Sequence, residues 1–139
     1  MAVAWAEKYK GIPFKAGGLG RVGTFCWGLV VLVYGEQFRV ALPTYLEEFD
    51  GLEDCERINR IIAREALSED WRQVEAPQIG DVVVYRSGRA RRHIGVVVGD
   101  GEMLHADDSV GSTIERWDRP GWAPRIIGFF RHAMIESCL

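Results

Sequence analysis

Gly23-Thr24-Phe25-Cys26-Trp27-Gly28-Leu29-Val30-Val31-Leu32-Val33-Tyr34 reads as a loop that delivers one cysteine to the start of a short, almost wholly apolar helix, closed by Gly35 just past its end. Thr24 is placed to act as N-cap, its hydroxyl accepting from an unpaired amide of the first turn, so Cys26 falls within that turn. The positive end of the helix dipole favours thiolate over thiol, which predicts a sulfur pKa below the free value of about 8.5. A helix apolar on every face is buried and rigid. The expectation is a nucleophile held still.

The 139 residues fit one domain, 1–139, with length enough for a real core and no need of disulfide staples. A formal charge of −3 argues against nucleic-acid binding by phosphate neutralisation. Arg86, Arg89, Arg91, Arg92 and Arg131 gather around His93 and the last strand, as a basic patch near the site or a solvated loop tip. Met1-Ala2-Val3-Ala4-Trp5-Ala6-Glu7-Lys8 lacks the basic, apolar and cleavage regions of a signal peptide, and no apolar run reaches membrane-spanning length. A soluble chain made in the cytoplasm is expected, with no membrane partner. Three cysteines, Cys26, Cys55 and Cys138, form an odd set without metal-ligand spacing, so neither a disulfide framework nor a metal site is expected.

Residues 2–10 predict a first helix, with Val3, Ala6 and Tyr9 on one side and Gly11 as its stop. Residues 12–20 are an extended, glycine-rich loop feeding the cysteine helix; the Gly-Lys-Ser/Thr ending of a phosphate loop is missing. Within a helical insert at about 44–70, Leu52, Cys55, Ile58, Ile61, Ile62 and Ala66 draw one apolar stripe over 52–67. Whether this helix packs on the body or acts as a lid is open. From Trp71 the pattern changes to strands: residues 82–85, 93–98, 102–106 and 126–131, with 107–125 as a long loop or a loop with one short strand. Helices first and strands after predict an α+β domain with an antiparallel sheet.

Two of the three histidines, His93 and His105, frame the hairpin around Gly99-Asp100-Gly101. A two-residue loop would set them on opposite faces. A bulged three-residue loop with Gly101 at positive φ makes paired residue numbers sum to 200 and puts both rings on one face. The second register is expected, with His93 as the base for Cys26 and His105 orienting the far ring nitrogen. The competing reading makes both ordinary sheet histidines.

Cys-Trp-Gly-Leu-Val at 26–30, Gly-Asp-Val-Val at 80–83, His-Ile-Gly-Val-Val-Val-Gly at 93–99, Met-Leu-His-Ala at 103–106 and Gly-Phe-Phe-Arg-His at 128–132 resemble the NlpC-type cell-wall cysteine peptidases. The likeness spans nearly the whole chain and is strongest to the phage-tail or tail-like particle branch, where tryptophan commonly follows the cysteine. The resemblance implies a papain-like fold and a catalytic triad Cys26, His93 and His105. It implies cofactor-free hydrolysis of a peptidoglycan stem-peptide bond, typically between γ-D-glutamyl and meso-diaminopimelate. Phe14, Phe25 and Trp27 fall where the family contacts substrate or oxyanion. Phe25 replaces the usual aspartate before the nucleophile, and Phe14 the tyrosine common after the loop proline, which touches specificity more than reaction type. Expected partners are the stem peptide and particle proteins. The expected setting is a virion tail or tail-like particle acting in the periplasm or cell wall. The alternatives are a structural tail-tip module with reduced or lost activity, and an amidase or acyltransferase using the same thiol chemistry.

Overall fold

The computed structural model describes residues 1–88 and 91–138, the last three through their backbone alone. Arg89 and the side chain of Cys138 therefore lie outside the described residues. A 3-10 helix, Ala4–Tyr9, opens the chain where a longer helix over 2–10 is predicted. Two short strands, β1 (Leu19–Gly20) and β2 (Gly23–Thr24), form a small ribbon before helix α1 (Cys26–Val33). Gly35 does not end the helix. The chain continues through a π-helical turn, Tyr34–Phe38, and stops at Arg39 in the left-handed conformation, φ 55°.

Helix α2 (Asp54–Ala66) carries the insert. The remaining strands are β3 (Trp71–Val74), β4 (Val82–Arg86), β5 (Arg92–Gly99), β6 (Glu102–Asp107), β7 (Gly111–Arg116) and β8 (Ile126–His132), followed by α3 (Ala133–Cys138). They make one six-stranded antiparallel sheet in the order β3-β8-β4-β5-β6-β7, so the α+β expectation holds. β7 is the short strand that 107–125 left open. It extends the sheet past the hairpin as an edge strand, and its half-exposed, polar composition follows from that place.

One face of the sheet packs on α1. Trp27, Leu29, Val30 and Val33 meet Val82, Val84, Ile94, Val96, Val98, Leu104 and Ala106 in a single buried cluster. Each such side chain contributes about 1.5–3 kcal/mol on burial, and an eight-residue helix depends on this packing because it is too short to persist alone. The opposite face is covered by Val83, Tyr85 and Met103 with Trp117, Trp122, Ile126 and Phe129.

The β5–β6 register settles where the histidines lie. Val96 pairs with Leu104 and Val97 with Met103, sums of 200. The register then slips before Gly99 pairs with Glu102, and Gly101 has φ 76°. The expected bulge is present, so His93 and His105 share a face as diagonal neighbours. Gly95 stands between them, where a Cβ would come within 3.3 Å of the His105 Cβ.

The insert packs on the body. Ile58 and Ile61 are buried, and Asn59 Oδ1 accepts the Arg92 amide of β5 at 3.1 Å. Glu65 accepts the Tyr45 hydroxyl at 2.5 Å and the Trp71 indole at 3.0 Å, fixing both ends of the segment.

Candidate active site

The glycine-rich loop lies along the approach to α1. Thr24 accepts no amide from α1 and caps nothing; its hydroxyl donates to the carbonyls of Phe25 at 2.9 Å and Gly18 at 3.3 Å. The reason is the loop itself: Thr24 N bonds Pro13 O and Lys15 N bonds Thr24 O, both at 3.0 Å, which turns the threonine toward the loop. Phe14 is thereby bridged to Thr24 and brought beside Cys26. The capping position belongs to Phe25 in extended conformation, and Cys26 is the first helical residue.

Cys26 and His93 line one pocket, together with Phe14, Phe25, Asp54, Tyr85, Arg91, His105, Asp107 and Trp122. The pocket opens where β5 begins and β6 ends. Of the residues expected to touch substrate or oxyanion, Phe14 and Phe25 line it. Trp27 does not: its indole is buried and donates to Pro43 O at 2.9 Å, tying α1 to the insert. A residue at the second helical position points away from the first, so only the Trp27 backbone reaches the sulfur, through a hydrogen bond. Arg131 is no part of a basic patch. It is buried and forks onto Asp81, with both nitrogen–oxygen distances 2.8 Å.

The rings form a relay. His93 Nε2 lies 3.0 Å from His105 Nδ1, and His105 Nε2 lies 3.2 Å from Glu115 Oε2. The three residues stand on consecutive strands, β5, β6 and β7. Acceptors set the proton positions. The Glu115 carboxylate accepts, so His105 Nε2 carries a hydrogen and Nδ1 a lone pair. That lone pair receives the His93 Nε2 hydrogen, with the Tyr85 hydroxyl as a second donor at 3.2 Å. Among the described residues nothing bonds His93 Nδ1, which keeps its lone pair bare.

Burial overrides the helix dipole at the thiol. Cys26 is 6% exposed, and desolvation pushes its pKa up to about 12, against the pull of hydrogen bonds from the Trp27 and Ile94 backbones. The expectation of a thiolate near neutrality is therefore corrected: the resting sulfur is protonated. Burial, with the His105 ring beside it, lowers His93 to about 3, so the imidazole is neutral. Desolvation also lowers His105, while Glu115 opposes the shift. A neutral thiol faces a neutral base. Among the described residues no group of His, Cys, Asp and Glu side chains is arranged to hold a metal ion.

Tyr85, Glu115 and Asp54 are site residues that the sequence reading missed. Tyr85 was visible only as the end of a buried strand. For Glu115 the signal was the alternation Thr113, Glu115 after the Asp107–Gly111 turn: once β7 is recognised, Thr113 pairs with His105 and Glu115 lies two residues on, opposite Met103.

A model of the NlpC/P60 family matches residues 11–131. The chain is 29% identical over 119 residues to the murein DD-endopeptidase MepS/murein LD-carboxypeptidase of Escherichia coli K12, covering 84% of this chain and 54% of that protein. It is 29% identical over 129 residues to a probable endopeptidase p60 of Listeria seeligeri, covering 93% of this chain and 21% of that one. The chain thus spans about half or less of the length of these relatives. Among solved structures, an NLP/P60 family protein from Staphylococcus aureus superposes with a TM-score of 0.62 at 21% identity, over 91% of this chain and 38% of that one. The P60 domain of a Mycobacterium avium subspecies paratuberculosis antigen gives 0.56 at 21% identity, over 93% and 89%. These two likenesses concern the fold.

Proposed function

The chain belongs to the NlpC/P60 family, and from that premise we propose that it is a cysteine endopeptidase of peptidoglycan, cutting the stem peptide between γ-D-glutamyl and meso-diaminopimelate. The observation that carries this reading is the relay His93–His105–Glu115 ending in a bare nitrogen in the pocket that also holds Cys26. The first two residues and the thiol are the catalytic triad of the proposal. In the reaction Cys26 gives its proton to His93 Nδ1 as sulfur attacks the carbonyl carbon, because neither group is charged beforehand. The developing imidazolium is stabilised through His105 by the Glu115 carboxylate. Backbone N–H groups at the start of α1 face the developing oxyanion. His93 then protonates the leaving amine, a thioester remains on Cys26, and water delivered through the same base releases the acid.

The setting proposed is a phage tail or tail-like particle, carried by the Cys26-Trp27 pair, with the enzyme made in the cytoplasm and acting on the wall from the particle. A second reading keeps the fold as a tail-tip module of low activity; the deeply buried, protonated thiol and the apolar Phe14 and Phe25 favour it. Digestion of diaminopimelate-type peptidoglycan by the wild type beside Cys26→Ala, with released peptides identified by mass, separates the two. Cleavage lost in the variant supports the peptidase and names its bond. No cleavage by folded wild type supports the structural module.

A further inference from the structure

Tyr85 stands on β4, next to the relay. It pairs with His93 across the β4–β5 ladder, and its ring meets the His93 and Trp122 rings edge-on, with centroids 5.0 Å away in each case. The Arg125 guanidinium lies 5.7 Å from the same ring. The side chain is 1% exposed, so its packing fixes where the hydroxyl sits. That hydroxyl bonds His105 Nδ1 at 3.2 Å and, among the described residues, nothing else. Burial holds the phenol pKa above its ordinary value, so the group stays protonated and keeps its hydrogen to donate. His105 Nδ1 offers one lone pair in the plane of its ring, and His93 Nε2 reaches for the same pair from 3.0 Å. Two donors share one acceptor, where the relay by itself needs only one.

We propose that Tyr85 is a positioning residue that confines the catalytic proton to His93 by keeping the Nδ1 lone pair of His105 engaged. This role rests on the peptidase reading of the site. Once Cys26 has given its proton to His93 Nδ1, the imidazolium can pass its Nε2 hydrogen on to His105 Nδ1. That transfer breaks one N–H bond and forms another. The charge then lies on His105 beside Glu115, and the proton remaining on His93 belongs to a neutral ring, a weak acid toward the leaving amine. The surroundings favour this loss. Glu115 on β7 and Asp107 on β6 support a charged His105, against burial and Arg125. His93 has Asp107 in its favour, against burial, His105, Arg91 and Arg125. A hydrogen bond donated to His105 Nδ1 lowers the basicity of the one atom that would receive the proton. Tyr85 thereby offsets the pull of Glu115 at the stage when His93 must act as an acid.

In the full chain carrying ¹⁵N-labelled histidine, NMR follows the pH at which His105 Nδ1 is protonated. Tyr85→Phe, which keeps the packed ring, is expected to raise that midpoint by about one pH unit, the scale of one hydrogen bond. Fluorotyrosine in place of Tyr85, a stronger donor of nearly the same size, is expected to lower it, and serves if the phenylalanine variant folds poorly. On diaminopimelate-type peptidoglycan fragments, Tyr85→Phe is expected to lose about tenfold in kcat with KM unchanged. Adding Glu115→Gln removes the main pull toward His105, so the double variant is expected to turn over no more slowly than Tyr85→Phe alone. An unmoved His105 midpoint, or losses in the two variants that simply multiply, overturns the inference. A midpoint that moves as expected, in a chain whose wild type cleaves no peptidoglycan, supports the Tyr85 bond and overturns the peptidase reading instead.

Discussion

At the scale of single residues, Glu115 does for His105 what His105 does for His93. Removing the charge while keeping an acceptor isolates that role. Glu115→Gln is expected to lower kcat about tenfold with KM unchanged, the loss of one charge-assisted hydrogen bond of about 1.5 kcal/mol. Glu115→Ala is expected to cost more and to shift the acid limb of the pH–rate profile further down, because Glu115 favours the protonated His105. Steady-state assays across pH measure both, and an unchanged kcat in Glu115→Gln would exclude the carboxylate from the relay. The thiol shows why one residue's state was not legible. The dipole argument is local and correct in sign, since the Trp27 backbone does lower the pKa. Desolvation is collective: β5, the loop at 12–20 and α2 all close on the sulfur, and none of that is written in the neighbours of Cys26.

At the scale of elements, α1 and the glycine-rich loop are fitted by the absence of a side chain. A Cβ at Gly28 would lie 2.0 Å from Gly18 O and 2.6 Å from Thr24 Oγ1. Backbone cannot yield there without moving the nucleophile. Gly28→Ala is therefore expected to destabilise by about 2 kcal/mol or more, as overpacking does, and to lower activity more than its loss of stability explains; urea midpoints and residual activity at low temperature check this. The hairpin was fully legible, because Gly99-Asp100-Gly101 carries its own turn chemistry and the register follows by counting. So was α2, from one apolar stripe. β7 was not, since an edge strand needs little hydrophobicity and its only cues were a glycine after an acidic turn and Thr113, Ile114. The Thr24 cap failed for a related reason: two elements competed for one hydroxyl, and the nearby carbonyls of Gly18 and Phe25 won.

At the scale of the molecule, stability depends on groups kept neutral inside. The unfolded state protonates His93 below about 6.5 while the folded state resists to about 3. The unfolded state then binds more protons, so stability falls as pH drops through that window, by about 1.4 kcal/mol per unit for this residue. Cys26 acts at the other end. Its folded pKa, about 12, lies above the unfolded value, so stability falls as pH rises past about 9. Urea denaturation is expected to be hardest near pH 7–8, and His93→Gln is expected to flatten the acid side. Arg131 and Asp81 form a buried pair across β8 and the turn before β4. Arg131→Met strands the Asp81 carboxylate and is expected to destabilise by about 3–5 kcal/mol, visible as a lowered Tm without change in the pH dependence of activity. The outer end of the relay has one further consequence. Glu115 is about a third exposed on the edge strand, although His105 behind it is sealed. A substrate seated over Cys26 blocks the front of the pocket and leaves this rear exit wet. The charge at the outer end of the relay is therefore open to screening by salt even with the cleft filled, and the support that Glu115 gives His105 is expected to weaken as ionic strength rises.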